Sequence, residues 1–298
     1  MADPAAQPLA ARTVNTGSPN TRSPNTRSPL TRFAQARPLT LFFLLTYTWT
    51  WTLWLALPRF IPDNKAESFG ELLIITGAFG PTVAALITRW LTDRDLKICR
   101  VWTGWYSLAA GLSFGLGAFF VTTLLATSVA QAKAPMHELH WSSLMHWSTY
   151  GINYSTFLGG PVNEEPGWRG FALPRLQKRY GPVWATLILA PLWAGWHLPL
   201  FQMPDWSSAN PWQFLLILVG IAFLLTAAAN ISKFNVVVAI VLHAFFNTSS
   251  GLANALMLAL PRRSHEMTIY TFVVLVGGVT VGLAALRMRG NLSAPISH

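Results

Sequence analysis

Two adjacent carboxylates, Glu164 and Glu165, stand in the run Asn163-Glu164-Glu165-Pro166-Gly167-Trp168-Arg169-Gly170, in a chain with only eleven acidic residues. Long apolar stretches flank this run on both sides. Carboxylates near membrane depth are costly, and those that persist usually have a task. Glu165 and Arg169 are four residues apart, the spacing of an ion pair on one helix face. Glu164 then points elsewhere, and two carboxylates in two environments are a common way to separate acid and base roles. Pro is tolerated in the first turn of a helix, so a new helix is expected to start near Pro166 and Gly167.

Two further constellations follow. In Trp193-Ala194-Gly195-Trp196-His197-Leu198-Pro199, His197 ends an apolar helix, and Trp193 lies one turn before it, placed to pack on the imidazole. In His243-Ala244-Phe245-Phe246-Asn247, the four-residue spacing puts His243 and Asn247 on one helix face. A carboxylate beside an imidazole can activate water as general base and later protonate a leaving amine. A second His with an Asn can donate hydrogen bonds to a developing oxyanion. Those parts suffice to hydrolyse an amide without a covalent intermediate. The chain has no nucleophile elbow around a Ser and no His-Glu-x-x-His motif, and Cys99 has no catalytic neighbour in sequence.

Each motif also has a structural explanation. His197 alone is equally well explained by a hydrogen bond to a neighbouring backbone. His243 and Asn247 are the kind of side chains that bridge helices in lipid. Glu165 and Arg169 read as a structural ion pair at the membrane surface. Taken together, an unpaired Glu, two His and an Asn on apolar helices are harder to explain as separate accidents.

The elements that must position these residues are membrane helices. Of the 298 residues, 52% are hydrophobic and 11% charged, against about 25% charged in soluble domains. About 20 apolar residues span a bilayer as a helix. Eight segments of the chain qualify: 38–57, 72–92, 105–130, 142–163, 183–200, 212–231, 235–254 and 268–286. The fourth is the most polar and is expected to face the bundle interior. Fourteen Trp residues suit a chain that meets two membrane–water interfaces. The net charge of +10 reads as a topology signal, because no stacking or RNA-binding motif accompanies it and no nucleic-acid partner is expected. With eight spans and the N-terminus inside, sixteen of twenty-one Lys and Arg fall on the inner side, so both termini are expected in the cytoplasm. Arg262-Arg263 is the local exception.

Residues 1–37 contain the repeat Ser18-Pro19-Asn20-Thr21-Arg22, Ser23-Pro24-Asn25-Thr26-Arg27, Ser28-Pro29-Leu30-Thr31-Arg32. Pro at every fifth position and few apolar residues argue for a disordered basic tail. Its cations set orientation, with contact to anionic headgroups as the alternative. The remainder, 38–290, reads as an all-α polytopic membrane helix bundle, with the chemistry concentrated in about 142–255. A single Cys excludes an internal disulfide framework.

The three motifs resemble those of the CPBP family, the CAAX-protease and bacteriocin-processing proteins, which include the type II CAAX prenyl endopeptidases and Abi-type membrane proteins. The family pattern is Glu-Glu-x-x-x-Arg, an aromatic-x-x-x-His, then His-x-x-x-Asn/Asp, and all occur here in order from Glu164 to Asn247. Trp193 stands where the family often has Phe. The connecting text from Trp168 to Gly181 is also similar, and the likeness covers about residues 150–255. It implies a multipass intramembrane endopeptidase, either metallo- or glutamate-dependent, in the cell membrane, with a bacterial cytoplasmic membrane as the expected setting. By motif position, Glu164 is the expected general base, acting with His197 on a water. His243 and Asn247 are expected to polarise the scissile carbonyl and hold the oxyanion, while Glu165 and Arg169 brace the helix break. Membrane lipid and a peptide, prenylated or otherwise lipid-anchored protein are the expected partners.

Two His and one carboxylate also form a legitimate catalytic zinc set. Under that alternative Glu164, His197 and His243 hold zinc or another divalent metal, and Glu165 is the base. Asn247 is a poor zinc ligand and a good oxyanion donor, which favours metal-free hydrolysis. The competing function is a catalytically silent membrane scaffold or immunity-type protein that binds a partner, with the same polar set as interhelical glue. A transporter ranks last, since the hydropathy shows no inverted repeat.

Overall fold

A computed structural model describes residues 28–60, 66–131, 160–203, 207, 209–258, 264–288 and 290. Helix α1 spans Pro29–Ala36 and α2 spans Pro38–Trp51, which continues through a π-helical turn, Thr52–Ala56, and a 3-10 turn, Leu57–Phe60. Then come α3 (Ala66–Ala78), α4 (Gly80–Asp93) and α5 (Trp105–Gln131). A short α6 (Pro161–Glu165) runs into a second π-helical segment, Pro166–Ala172, and on into α7 (Leu173–Trp196). The chain closes with a 3-10 turn (Leu198–Gln202), α8 (Pro211–Ile231), α9 (Val236–Leu258) and α10 (Ser264–Met288). Helices make up the described chain, as expected of an all-α membrane bundle.

Five described helices are long and apolar enough to cross a membrane, or six if the bent pair α3–α4 counts as one. Eight were expected. The segment 142–159 lies outside the described residues, and α9, a 23-residue helix over Val236–Leu258, is counted only over 236–248, within the fully described residues. The segment 161–202 forms one 42-residue run, about twice the length of a bilayer crossing. Gly181 divides it: the backbone there has φ 75 and ψ 168. Only Gly takes that conformation without strain, and Pro182 disfavours helix in the residue before it.

The expected tail, 1–37, includes helix α1. Pro29 occupies the first turn of α1, where its missing N–H costs nothing. The Ser28 hydroxyl accepts from the Thr31 amide at 3.2 Å, so the last repeat supplies a helix cap instead of a break. Residues 1–27 lie outside the described set.

The bend between α3 and α4 measures 43°. Pro81 cannot donate to the carbonyl of Gly77, four residues earlier, and in lipid that oxygen needs another partner. The Thr50 hydroxyl of α2 supplies it at 2.8 Å. Trp49 and Trp54 donate in the same way to the carbonyls of Thr76 and Ile74, at 2.9 and 3.1 Å. The break is therefore a binding surface for α2. Helix α8 forms the centre, with 78% of its spanning window buried against 28% for α2 and α5. It packs against α7 on one side and α10 on another.

Candidate active site

Helix α6 opens at Gly160, whose carbonyl accepts the amides of Asn163 and Glu164 at 2.9 and 2.8 Å. That turn carries both carboxylates inward: Glu164 is 2% exposed and Glu165 is 0% exposed. A new helical segment starts at Pro166, with the proline in its first turn as expected. The chain continues as a π-helical segment, and Arg169 reaches back so that its Nη1 donates to Glu165 Oε1 at 2.7 Å. Arg169 is only 2% exposed. The pair expected at the membrane surface is therefore buried: Glu165, at the end of α6, meets His243 of α9, and Arg169, on the π-helical segment, meets Trp193 of α7.

Trp193 is the hub of the site. Its indole Nε1 donates to Glu164 Oε2 at 2.7 Å. The Arg169 guanidinium lies 4.0 Å above its ring, and the His243 ring meets it edge-on at 5.1 Å. Its backbone carbonyl is bonded to His197 Nδ1 at 2.8 Å. That carbonyl is available because α7 ends there: the His197 amide donates to Ala194 at 3.1 Å, tightening the last turn. Sequence reasoning placed Trp193 against an imidazole. Its contacts with Glu164, Arg169 and His243 come from elements with no local relation to it.

The structure gives His243 to Glu165, with Nδ1 2.8 Å from Oε1. Glu165 Oε1 thus joins Arg169 and His243, residues 4 and 78 positions away. A carbonyl oxygen only accepts, so His197 carries its proton on Nδ1. The Arg-paired carboxylate imposes the same tautomer on His243. In the neutral rings, both Nε2 atoms are then the unprotonated nitrogens. These protonation states follow from the hydrogen-bond partners.

Asn247 closes the set. A Cβ built on Gly160 would lie 2.8 Å from Glu164 Oε1 and 3.7 Å from Asn247 Nδ2. The space above Gly160 therefore adjoins both a carboxylate oxygen and an amide donor from α9. Two residues missed by the sequence reading belong here. Gly160, lacking a Cβ, lets Glu164 Oε1 come this close. The Asn163 side chain, 1% exposed, has no hydrogen-bond partner among the described residues, while the backbone carbonyl of Asn163 accepts from Thr82 Oγ1 at 2.6 Å. Its place beside Glu164 between apolar stretches was the available signal. Glu165 Oε2 and Arg169 Nη2 likewise lack partners among the described residues. Buried polar atoms of this kind call for water or a bound group.

Fixed Nδ1 partners are typical of metal-ligating histidines. Yet among the described residues no three His, Cys, Asp or Glu side chains gather into a metal-holding group. Trp193 holds one oxygen of Glu164, as hydrogen bonds commonly hold ligating carboxylates, so Glu164, His197 and His243 keep the donor types of a divalent-metal set without being gathered to one point. What the arrangement can do is hold a water or carbonyl oxygen between Glu164 and Asn247, with two imidazoles fixed nearby.

Residues 146–249 match the family described as type II CAAX prenyl endopeptidase Rce1-like. The chain is also similar to CAAX prenyl protease 2 of Methanococcus maripaludis, with 28% identity over 100 residues, 30% of this chain and 36% of that protein. The match therefore spans about a third of the relative's length. All the site residues lie inside the matched segment.

Proposed function

We propose, from the match of residues 146–249 to the type II CAAX prenyl endopeptidase family, that the chain is a multipass intramembrane endopeptidase that hydrolyses a peptide bond with a water activated by Glu164. The substrate is a lipid-anchored peptide of the C-terminal Cys-a-a-X type, presented from the bilayer of a bacterial cytoplasmic membrane. The observation that supports this reading is that Glu164 Oε1 and Asn247 Nδ2 both come close above Gly160, where there is no side chain.

A water there gives its proton to Glu164 as its oxygen attacks the scissile carbonyl carbon. The carbonyl becomes an oxyanion that accepts from Asn247 Nδ2. As the C–N bond breaks, the proton passes to the leaving nitrogen, and Glu164 returns to its ionised state. His197, its Nδ1 held by the Trp193 carbonyl, has Nε2 as the nitrogen left to share the water's proton. His243 donates to the oxyanion through Nε2 only as the imidazolium. The Glu165 carboxylate on its Nδ1 is the counter-charge beside that ring. Glu165 and Arg169 thus act by positioning His243, and Trp193 by positioning Glu164.

The test is turnover of a prenylated Cys-a-a-X peptide by purified protein in liposomes. Cleavage by the unmutated chain and its loss in Glu164→Gln, with an unchanged melting temperature, support the reading. Equal cleavage by Glu164→Gln removes Glu164 from the mechanism. No cleavage by either protein, with a lower melting temperature in the variant, favours the scaffold reading.

A further inference from the structure

The loop 94–104, between α4 and α5, lies at the same end of the bundle as the turn 232–235, between α8 and α9. Three hydrogen bonds join them: Val236 N–H to the Arg100 carbonyl at 2.8 Å, Thr103 Oγ1 to the Ser232 carbonyl at 2.8 Å, and Asn235 Nδ2 to Thr103 Oγ1 at 3.2 Å. These bonds use backbone, hydroxyl and amide groups. The cationic side chains of Lys97, Arg100 and Lys233 are left exposed around the junction.

The acids nearby do not answer these cations. Asp93 and Asp95 both pair with Arg89. The Lys97 amide donates to Asp95 and is the main cause holding its carboxyl below the usual range, so it stays ionised and engaged. Arg94 lies over the Trp90 ring, its guanidinium 5.1 Å from the centroid. Among the described residues no carboxylate pairs with Lys97, Arg100 or Lys233.

Apolar and aromatic side chains surround them. Leu96, Val101, Trp102, Trp105 and Tyr106 are each more than half exposed, and Trp102 meets Trp105 edge-on at 4.8 Å. In water, a patch of this kind marks an interaction surface. At a bilayer, Trp and Tyr settle at headgroup depth, and Lys and Arg are drawn to anionic lipid.

We propose that the loop 94–104 and the turn 232–235 form a binding site for anionic phospholipid headgroups, with Lys97, Arg100 and Lys233 taking the phosphate and Trp102, Trp105 and Tyr106 seated in the interface. The site adjoins the catalytic elements. A Cβ on Gly170 would lie 2.6 Å from Cys99 Cβ, so the loop rests on the π-helical segment beside Arg169. Val236, bonded to Arg100, opens the helix that carries His243.

The test reads lipid binding and does not depend on proteolysis. The protein is reconstituted in phosphatidylcholine containing a minor share of phosphatidylglycerol, extracted, and its lipid adducts are compared by native mass spectrometry. The expected result is enrichment of phosphatidylglycerol over the bulk composition, resistant to excess inorganic phosphate. Enrichment falls about fivefold for each cation removed in the series Lys97→Gln, Arg100→Gln and Lys233→Gln. Charge-conserving Lys97→Arg, Arg100→Lys and Lys233→Arg together retain it. Adducts that mirror the bulk composition, or enrichment unchanged in the Gln series, overturn the proposal. Should the triple Gln variant not be recovered, Lys97→Gln alone decides by the same fivefold criterion.

Discussion

Trp193 Nε1 donates to Glu164 Oε2 at 2.7 Å across 29 residues of sequence. This bond fixes one oxygen of Glu164 and leaves the other facing Gly160 and Asn247. Trp193→Phe keeps a ring for Arg169 and His243 but leaves a buried carboxylate oxygen unsatisfied, a loss of about 1–3 kcal/mol. The expected outcome is a fall in kcat/KM of about tenfold to a hundredfold, together with a lower melting temperature. Steady-state cleavage of the prenylated peptide checks it, and unchanged kinetics would show that the indole N–H does not position Glu164.

The two adjacent carboxylates are expected to separate cleanly by their variants. Arg169→Ala removes the guanidinium of a buried pair and leaves Glu165 with His243 alone, a loss of about 3–5 kcal/mol. Its melting temperature in detergent should drop well below that of the unmutated protein. Glu164→Gln keeps the Trp193 bond, through its amide oxygen, and should melt near the unmutated value while losing turnover. The reverse pattern would exchange the roles of Glu164 and Glu165.

Gly160→Ala places a methyl group 2.8 Å from Glu164 Oε1. Glu164 is tied to Trp193 and has little freedom to yield. A displacement of about 1 Å at a reacting group costs about a hundredfold in rate, so kcat should fall by that order while KM changes little. Full activity in Gly160→Ala would mean that the space above Gly160 is not where the water sits.

Thr50 supports the site from outside it. Its hydroxyl donates to the Gly77 carbonyl at 2.8 Å and accepts from Trp196 Nε1 at 2.8 Å. Thr50→Val keeps the shape and removes both bonds, each worth about 1 kcal/mol between membrane helices. Thermal unfolding should show a modest loss of stability, with a matching Thr50→Ser variant close to the unmutated protein.

The sequence by itself determined the helical class, the three motifs and their local geometry. The i,i+4 spacings of Glu165 with Arg169 and of His243 with Asn247 follow from helix periodicity alone, and the scarcity of charge marks both segments as membrane-associated. Periodicity says nothing about which faces meet. Only the tertiary packing of α7 and α9 against the π-helical segment assigns His243 to Glu165, buries the Glu165–Arg169 pair and makes Trp193 the centre of the site. Gly160 was invisible in the sequence because its role is an absence of atoms, defined by Glu164 and Asn247 approaching from two helices. The break between α3 and α4 became legible only when Thr50, from α2, was seen to take up the carbonyl that Pro81 leaves unpaired. Local rules reach about one helical turn along the chain. The site is assembled from contacts tens of residues apart, which depend on how whole helices pack.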